Sequence, residues 1–388
     1  MKILDRYVLA TFLKNYLISL MVLIGLYILL DLVFNFDELV EVQSKGAAVA
    51  ATGGGASFLH VVYIIWDYYF YQSFLIFAQL SGVIPVVAAA FTLVRFARFN
   101  ELSPILSAGV SLFRTAAPII IAGIVLSFLL LVDQEMIIPR LIPKLTRTHD
   151  QIGQQAPKSF DIKAMQDGSG GLLFASRYLP PTDKEPATII QLDVIERDKE
   201  YRPTGHISAD KAVWDAEQNA WKLTGGRHVT GLQPNQQQRE DPKPPHHYKS
   251  GVTPEEVALF HSGDYTELLS TARINQLLQR PQSYGTIDLL RVKHARVTQS
   301  VMNVVAVLLA IGTILTREPG TLKGNALRLL IVVGAAMSCV FLCHQLAAHP
   351  PSGQQWADRW PAIMAWLPIF MFFPLAIFLL DQLQTKKS

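Results

Sequence analysis

Catalytic motifs are missing from this sequence. No G-x-x-x-x-G-K-[ST] phosphate loop occurs, and Gly320–Gly324 (GTLKG) lacks its spacing, so the chain carries no nucleotide-driven motor of its own. There is no H-E-x-x-H, no G-x-S-x-G and no C-x-x-C, which removes the common zinc, serine-hydrolase and dithiol chemistries. Cysteine is nearly absent. Cys339 and Cys343 stand one helical turn apart in an apolar run and read as packing residues, which excludes a disulfide framework. Charge is scarce as well: Asp, Glu, Lys and Arg make up 17% of 388 residues, the net charge is +3, and the apolar runs hold few charged positions. An ion-coupled carrier needs acids buried in its spans, so that class is disfavoured. No catalytic residue, metal site or cofactor is expected. His246 and His247 lie side by side in a polar loop and read as a solvated pair.

What is present is hydrophobic length. Six stretches approach or exceed the roughly 20 apolar residues a bilayer requires: Asn15–Phe36, Phe74–Val94, Thr115–Val132, Val297–Leu315, Ala326–Leu346 and Pro361–Leu380. Basic residues collect at the N-terminus (Lys2, Arg6, Lys14), between the second and third runs (Arg95, Arg98, Arg114), after the fourth (Arg317, Lys323, Arg328) and in the tail (Lys386, Lys387). The first loop instead carries Asp37, Glu38 and Glu41 against Lys45. Short basic loops stay in the cytoplasm, so both termini are expected inside. The first run is longer than a signal-peptide core, so Ala48-Val49-Ala50 is not read as a cleavage site. Asp31 lies near the outer end of that run, where an acid is either functional or simply reaches water. A Gly/Ala loop (GAAVAATGGGAS) and an aromatic segment, Phe58–Gln72, precede the second run, in which Pro85 predicts a kink.

The stretch Arg95–Ser111 joins the second and third runs. Leu102, Ile105, Leu106 and Gly109 recur at spacings of three and four, which predicts a small amphipathic helix at the cytoplasmic surface. Pro104 fits only in its first turn. The segment is either a turn that sets topology or a helix that receives a push from a cytoplasmic motor.

The one large soluble interval, Arg140 to Ser283, has nearly balanced charge and no nucleic-acid signature. It reads as β. Gly171–Leu179, Thr188–Ile195, His206–Trp214 and Trp221–Val229 are strand-like and separated by turn signals, which predicts a meander closing into a sandwich or jelly roll. Gln233–His247 is expected to be an extended loop and Thr266–Arg280 a helix begun by Asp264 and Glu267.

Taken together, these residues resemble the LptF/LptG permeases of lipopolysaccharide export. The resemblance covers nearly the whole length. It rests on the opening Leu4-Asp5-Arg6-Tyr7, on Glu101-Leu102 followed by Ala108-Gly109 and Ser111, on the strands around Trp214 and Trp221, on Thr266–Leu278 and on Ala365-Trp366-Leu367-Pro368. It implies six transmembrane helices (three plus three) with an inserted periplasmic jelly-roll-like β domain: residues 1–139 with a coupling helix at about 96–112, then 140–283, then 284–388. The chain is then a permease half in the bacterial inner membrane. It pairs with a paralogous permease, is driven by a cytoplasmic ABC ATPase dimer, and passes lipopolysaccharide or a related lipid to a periplasmic bridge protein. The resemblance implies ATPase-facing roles for Asn100, Glu101, Leu102, Leu106, Gly109 and Ser111. Glu101 is either that contact or an acid that only starts a helix. Gly109 is expected to allow close approach. Asp31, Phe34, His344 and Gln345 are lipid-path candidates in the spans, although His344 and Gln345 equally satisfy a neighbouring helix. Leu173, Phe174, Ile190 and Leu192 are the candidates in the β domain. Pro104 and Ser107 replace residues commonly alanine in the family, and the lysine of LptG-type members near the outer end of the first span is not evident around Phe34. The competing readings are a multi-span anchor displaying a β adhesion or sensor domain, and a force-transmitting ABC subunit that moves no lipid.

Overall fold

The computed structural model describes residues 3–35, 58–145 and 159–382, the last with interruptions at 168–169, 182–184, 199, 201, 234–236, 243–244, 251, 255, 258–264, 280–285, 316–321, 352–355 and 357–358. The acidic first loop, the Gly/Ala stretch, Ala48-Val49-Ala50, Asp264, Arg317 and the basic tail at Lys386 and Lys387 lie outside the described residues. The chain divides into two compact units. One comprises Met1–Phe34, Tyr69–Arg140 and Ile287–Ser388, the other Asn35–Tyr68 and Leu141–Thr286.

The helices are α1 (Ile3–Phe34), α2 (Phe58–Leu80), α3 (Val83–Arg98), α4 (Leu102–Ser107), α5 (Leu112–Val132), a π-helical turn (Asp133–Ile137) leading into α6 (Ile138–Leu145), α7 (Tyr265–Leu268), α8 (Thr271–Leu278), α9 (Thr286–Ile314), α10 (Leu322–Ala347) and α11 (Trp360–Asp381). Among the described residues, five helical stretches are long and apolar enough to cross a membrane: Ile3–Phe34, Leu112–Ile142, Thr286–Ile314, Gly324–Ala347 and Trp360–Asp381. A sixth is obtained only if the bent pair Ile65–Leu80 and Val83–Arg98 counts as one span. The second apolar run is therefore not a single helix. It breaks at Ser81–Gly82 with a 70° bend. Pro85 has no N–H to give to the Ser81 carbonyl, so it sits in the first turn of α3, where that donor is not needed. The Ser81 hydroxyl turns back to the Ala78 carbonyl at 2.8 Å.

Phe12 of α1, Ile84 and Phe96 of α3, Ile119 of α5, Leu309 of α9 and Ile369 of α11 belong to one apolar core. α9 forms its centre: 72% of its apolar window is buried within the protein, against 6% for α1 and 17% for α10. The two least covered helices present rows of Leu, Met and Phe outward, among them Leu17, Met21, Leu330 and Phe341. Such rows are stable when lipid or another apolar helix is their solvent.

The other unit is an antiparallel sheet. Its strands are β1 (Phe160–Gln166), β2 (Leu172–Leu179), β3 (Thr188–Arg197), β4 (Pro203–Asp215), β5 (Ala220–Thr224), β6 (Arg227–Thr230), β7 (Arg239–Glu240) and β8 (His247–Tyr248). β1 to β5 pair in sequence order, β8 joins β5, and β6 pairs with β4 and β7. The register of β5 on β4 (Lys211 opposite Thr224) carries into β6 on β4 (Ser208 opposite Arg227), so β5 and β6 form one lane broken at Gly225-Gly226. The Trp221–Val229 strand expected from sequence is this lane. β7 and β8 form the return lane of the same hairpin. Gln233–His247, expected as a loop, is thus partly paired strand. Its prolines and charges hid the pattern because the lane is short and at an edge. Among the described residues the pairings are those of a meander with hairpins. The expected jelly-roll closure, with its crossover, is not among them.

Burial along three central strands slips by one residue at the same level. On β2, Leu173, Ala175 and Tyr178 are buried; on β3, Ile189, Leu192 and Val194; on β4, Ile207, Ala209 and Ala212. Strict alternation would have buried Arg177, Gln191 and Lys211 instead. Between the two phases runs an exposed row, Ser176–Gln191–Asp210–Gly225, at which the ladder pairs are interrupted in every lane. Gln191 has φ of 52° and Gly225 of 69°, so the backbone turns left-handed at two of its four positions. The sheet is creased along this row.

The buried face is closed by Val252, Pro254 and Val257. Tyr178 donates to the Pro254 carbonyl (3.0 Å) and Trp221 Nε1 to the Val252 carbonyl (3.2 Å), so both large side chains bury their rings and keep a partner for their polar ends. Thr266–Arg280, expected as one helix, is α7 and α8 separated at Leu269-Ser270. The Ser270 hydroxyl accepts from the Arg273 N–H and starts α8 afresh.

Candidate functional site

The 96–112 stretch resolves into the end of α3, the short helix α4 and the start of α5. Two helix stops bracket α4. After α3, Glu101 N–H donates to the Phe96 carbonyl (2.9 Å) and Asn100 N–H to the Ala97 carbonyl (3.2 Å), with Asn100 left-handed at φ of 53°. After α4, Val110 N–H donates to the Ile105 carbonyl (3.2 Å) and Gly109 N–H to the Leu106 carbonyl (2.9 Å), with Gly109 at φ of 75°. Both have the paired bonds of a Schellman stop. Pro104 is the third residue of α4, in its first turn, as its missing N–H demands. The Ser111 hydroxyl accepts from Arg114 N–H (3.3 Å) and caps α5.

These contacts give several candidates a structural role within the chain. Within this chain a Cβ at Gly109 would meet nothing within 4 Å, so the space beside it is open to a partner surface. Its left-handed backbone at φ of 75° is a second reason for glycine. Asn100 and Ser111 likewise serve stop and cap. Glu101 stands at the N-cap position of α4 but makes no capping bond. Its carboxylate accepts from the Tyr7 hydroxyl at 3.0 Å. Tyr7 in turn stacks on Phe96, with centroids 5.8 Å apart and planes 24° from parallel. One side chain of α1 thus touches both α3 and the head of α4. Leu102 packs partly buried on the helical core, while Leu106 is 39% exposed. The sequence reading missed Phe99, which is 64% exposed directly before α4. Tyr7 was noted only as part of an opening motif. Nothing local signals a partner 94 residues away.

The span candidates do not come together. The Asp31 carboxylate accepts from the Tyr69 hydroxyl at 2.8 Å. Phe34 is 83% exposed at the end of α1. On α10, His344 Nε2 lies 3.4 Å from Arg291 Nη1 of α9, while Gln345 is exposed. Unforeseen from sequence is a polar seam along α9. Asn303 donates to Ser81 Oγ (3.2 Å), Gln299 to the Ala78 carbonyl (3.0 Å), and Gln134 to Gln299 Oε1 (3.3 Å). Arg296, 4% exposed, donates to Glu135 Oε1 at 3.0 Å. The seam joins the broken end of α2, the π-helical turn and α9, so the bend at Ser81 is held by side-chain amides where the helix ladder is open.

In the β unit the four candidates divide between two faces. Leu173 and Leu192 are fully buried in the closed core, whereas Phe174 and Ile190 lie half-buried on the other side. Among the described residues no cluster of His, Cys, Asp or Glu has the arrangement of a metal site.

No curated protein matches the chain. The family model described as lipopolysaccharide export system permease LptF/LptG matches residues 6–382. That match takes in the helical bundle, the inserted sheet and the α3–α4–α5 connection, and the chain belongs to the LptF/LptG family of lipopolysaccharide export permeases.

Proposed function

We propose that this chain is one half of a two-permease transporter, powered by a separate cytoplasmic ATPase dimer that docks on α4. Both termini and α4 face the cytoplasm and the sheet faces the periplasm, in keeping with the Lys and Arg distribution. The observation that carries this reading is the Tyr7–Glu101 bond beside a helix fixed at both ends by left-handed stops. A docking element must be stiff and must be joined to what it moves. α4 is six residues long and exposes Leu106, Phe99 is exposed just before it, and Glu101 links its head to α1. A push on α4 is thereby delivered to α1.

α1 and α10 are the least covered spans, which supports a second, paralogous permease and a lipid entrance along them. Phe34, Gln345, His344 and Asp31 would then meet lipopolysaccharide, or a related glycolipid, near the outer ends of those helices. The acyl chains continue into the jelly-roll-like β domain, where Leu173 and Leu192 are the candidate contacts. A β-rich periplasmic bridge receives them at a strand edge. The test is co-purification from native membranes. Wild type should bring down an ATP-binding subunit and a second six-span protein, and Leu106→Asp should lose the ATPase while keeping the permease partner. Recovery of the chain alone would remove the half-transporter reading.

A further inference from the structure

The crease across the sheet opens a groove of about 480 Å³ on the face opposite the closed core. One wall is the row Phe174–Asp193–Ser208–Arg227 and the other is Ser176–Gln191–Asp210–Gly225. The floor between them is the strand backbone at Ala175, Leu192 and Ala209, whose side chains point into the core. The walls offer hydroxyls, one amide, two carboxylates, one guanidinium and one phenyl ring. Ser176 donates to Gln191 Oε1 at 2.7 Å, and Asp193 is held by His206 Nε2 at 3.0 Å, so two wall groups are oriented before any ligand arrives. Gly225 is fixed by its left-handed φ and by the Asp210 carboxylate, which occupies the space a Cβ would take. The crease is thus set by named residues.

We infer that this groove binds the neutral saccharide part of the exported glycolipid, separated by one sheet thickness from the acyl chains. The inference rests on the export reading above and extends it to a second subsite. Planar carboxylates and amides bind vicinal hydroxyls two at a time, and a ring such as Phe174 takes the apolar face of a hexose. Charge argues the same way. Among the lining side chains Asp193 and Asp210 outnumber Arg227, so the lining adds no net attraction for phosphate while it offers hydroxyls both acceptors and donors. The sheet then acts as a divider, with an apolar face for acyl chains and a polar crease for sugar.

The test uses the full-length chain in a detergent without a sugar headgroup. The probe is the core oligosaccharide released from lipopolysaccharide by mild acid and then dephosphorylated, followed by saturation-transfer NMR. Binding is expected, with the phosphorylated oligosaccharide no tighter. Gln191→Ala and Ser208→Trp, the second filling the groove, should each weaken it about tenfold, the loss of roughly 1.4 kcal/mol of contact. Lys222→Ala, outside the groove, should leave it unchanged. No transfer to wild type, or equal transfer in both groove variants with unaltered circular dichroism, overturns the inference. A parallel photo-crosslink of intact lipopolysaccharide separates the two levels. Lipid captured without saccharide binding sinks the groove alone, and saccharide binding without lipid capture sinks the export reading.

Discussion

The Tyr7 hydroxyl donates to Glu101 across 3.0 Å, joining the first turns of α1 to the head of α4 over 94 residues of sequence. Because Tyr7 also stacks on Phe96, the contact sets the position of a six-residue helix that has little packing of its own.

Removing that bond should loosen coupling while leaving insertion intact. Tyr7→Phe keeps the stack and loses one hydrogen bond, worth about 0.5–1.5 kcal/mol. The expected result is a several-fold fall in lipid-stimulated ATP turnover of the assembled complex. Glu101→Gln keeps an acceptor and should stay near wild type, whereas Glu101→Ala should match Tyr7→Phe. The double variant should be no worse than either single one; additive losses would show that the two residues act separately.

Position 109 separates a conformational need from a steric one. At φ of 75° a branched residue is strained by about 1–2 kcal/mol, and Asn is tolerated far better. Gly109→Asn should retain ATPase co-purification and Gly109→Val should lose much of it. Equal loss in both would mean that the partner surface itself needs the missing side chain.

The Arg296–Glu135 pair has one almost fully buried member. Arg296→Ala removes a charged hydrogen bond to the partly exposed Glu135 and should destabilise the bundle by about 1.5–3 kcal/mol, seen as a lower unfolding temperature in detergent. Arg296→Met with Glu135→Leu should recover most of the loss. An unchanged melting curve for Arg296→Ala would show that the pair contributes nothing.

Burial holds the Tyr178 phenol well above its ordinary value. A folded-state value raised above the unfolded one, about 10, gives stability that is complete below pH 10 and is lost as pH rises further. The sheet should therefore weaken above about pH 10, with tyrosinate absorbance appearing together with loss of β circular dichroism. Tyr178→Phe should lower stability at neutral pH by about 1 kcal/mol, through the lost bond to the Pro254 carbonyl, and flatten the alkaline limb.

Much of the architecture was legible because it rests on local rules. Long apolar runs mark spans, Pro85 marked the break in the second, and the turn residues after Leu179, Ile195 and Trp214 marked the meander. What was not legible depends on partners distant in sequence. Arg296, Gln299 and Asn303 lie at the start of the fourth apolar run, and only packing turns them toward Glu135 and Ser81. The face of Leu173 versus Phe174 depends on phase, and the crease shifts that phase by one residue within a strand. A period-2 pattern cannot forecast such a slip without knowing that neighbouring strands slip together. Gly109 shows the converse: the glycine stands out in the sequence, while its left-handed backbone angle becomes visible only in the fold.

The most direct test of the account is a site-specific crosslink from α4. A photo-reactive residue in place of Leu106, in native membranes, should give one adduct with the ATP-hydrolysing subunit, diminished in Glu101→Ala. The same probe in place of Lys222 on the sheet should give none with that subunit. Absence of an ATPase adduct from position 106, in membranes where the probe at Leu330 on α10 still captures a neighbour, would contradict the claim that α4 is where force enters this permease.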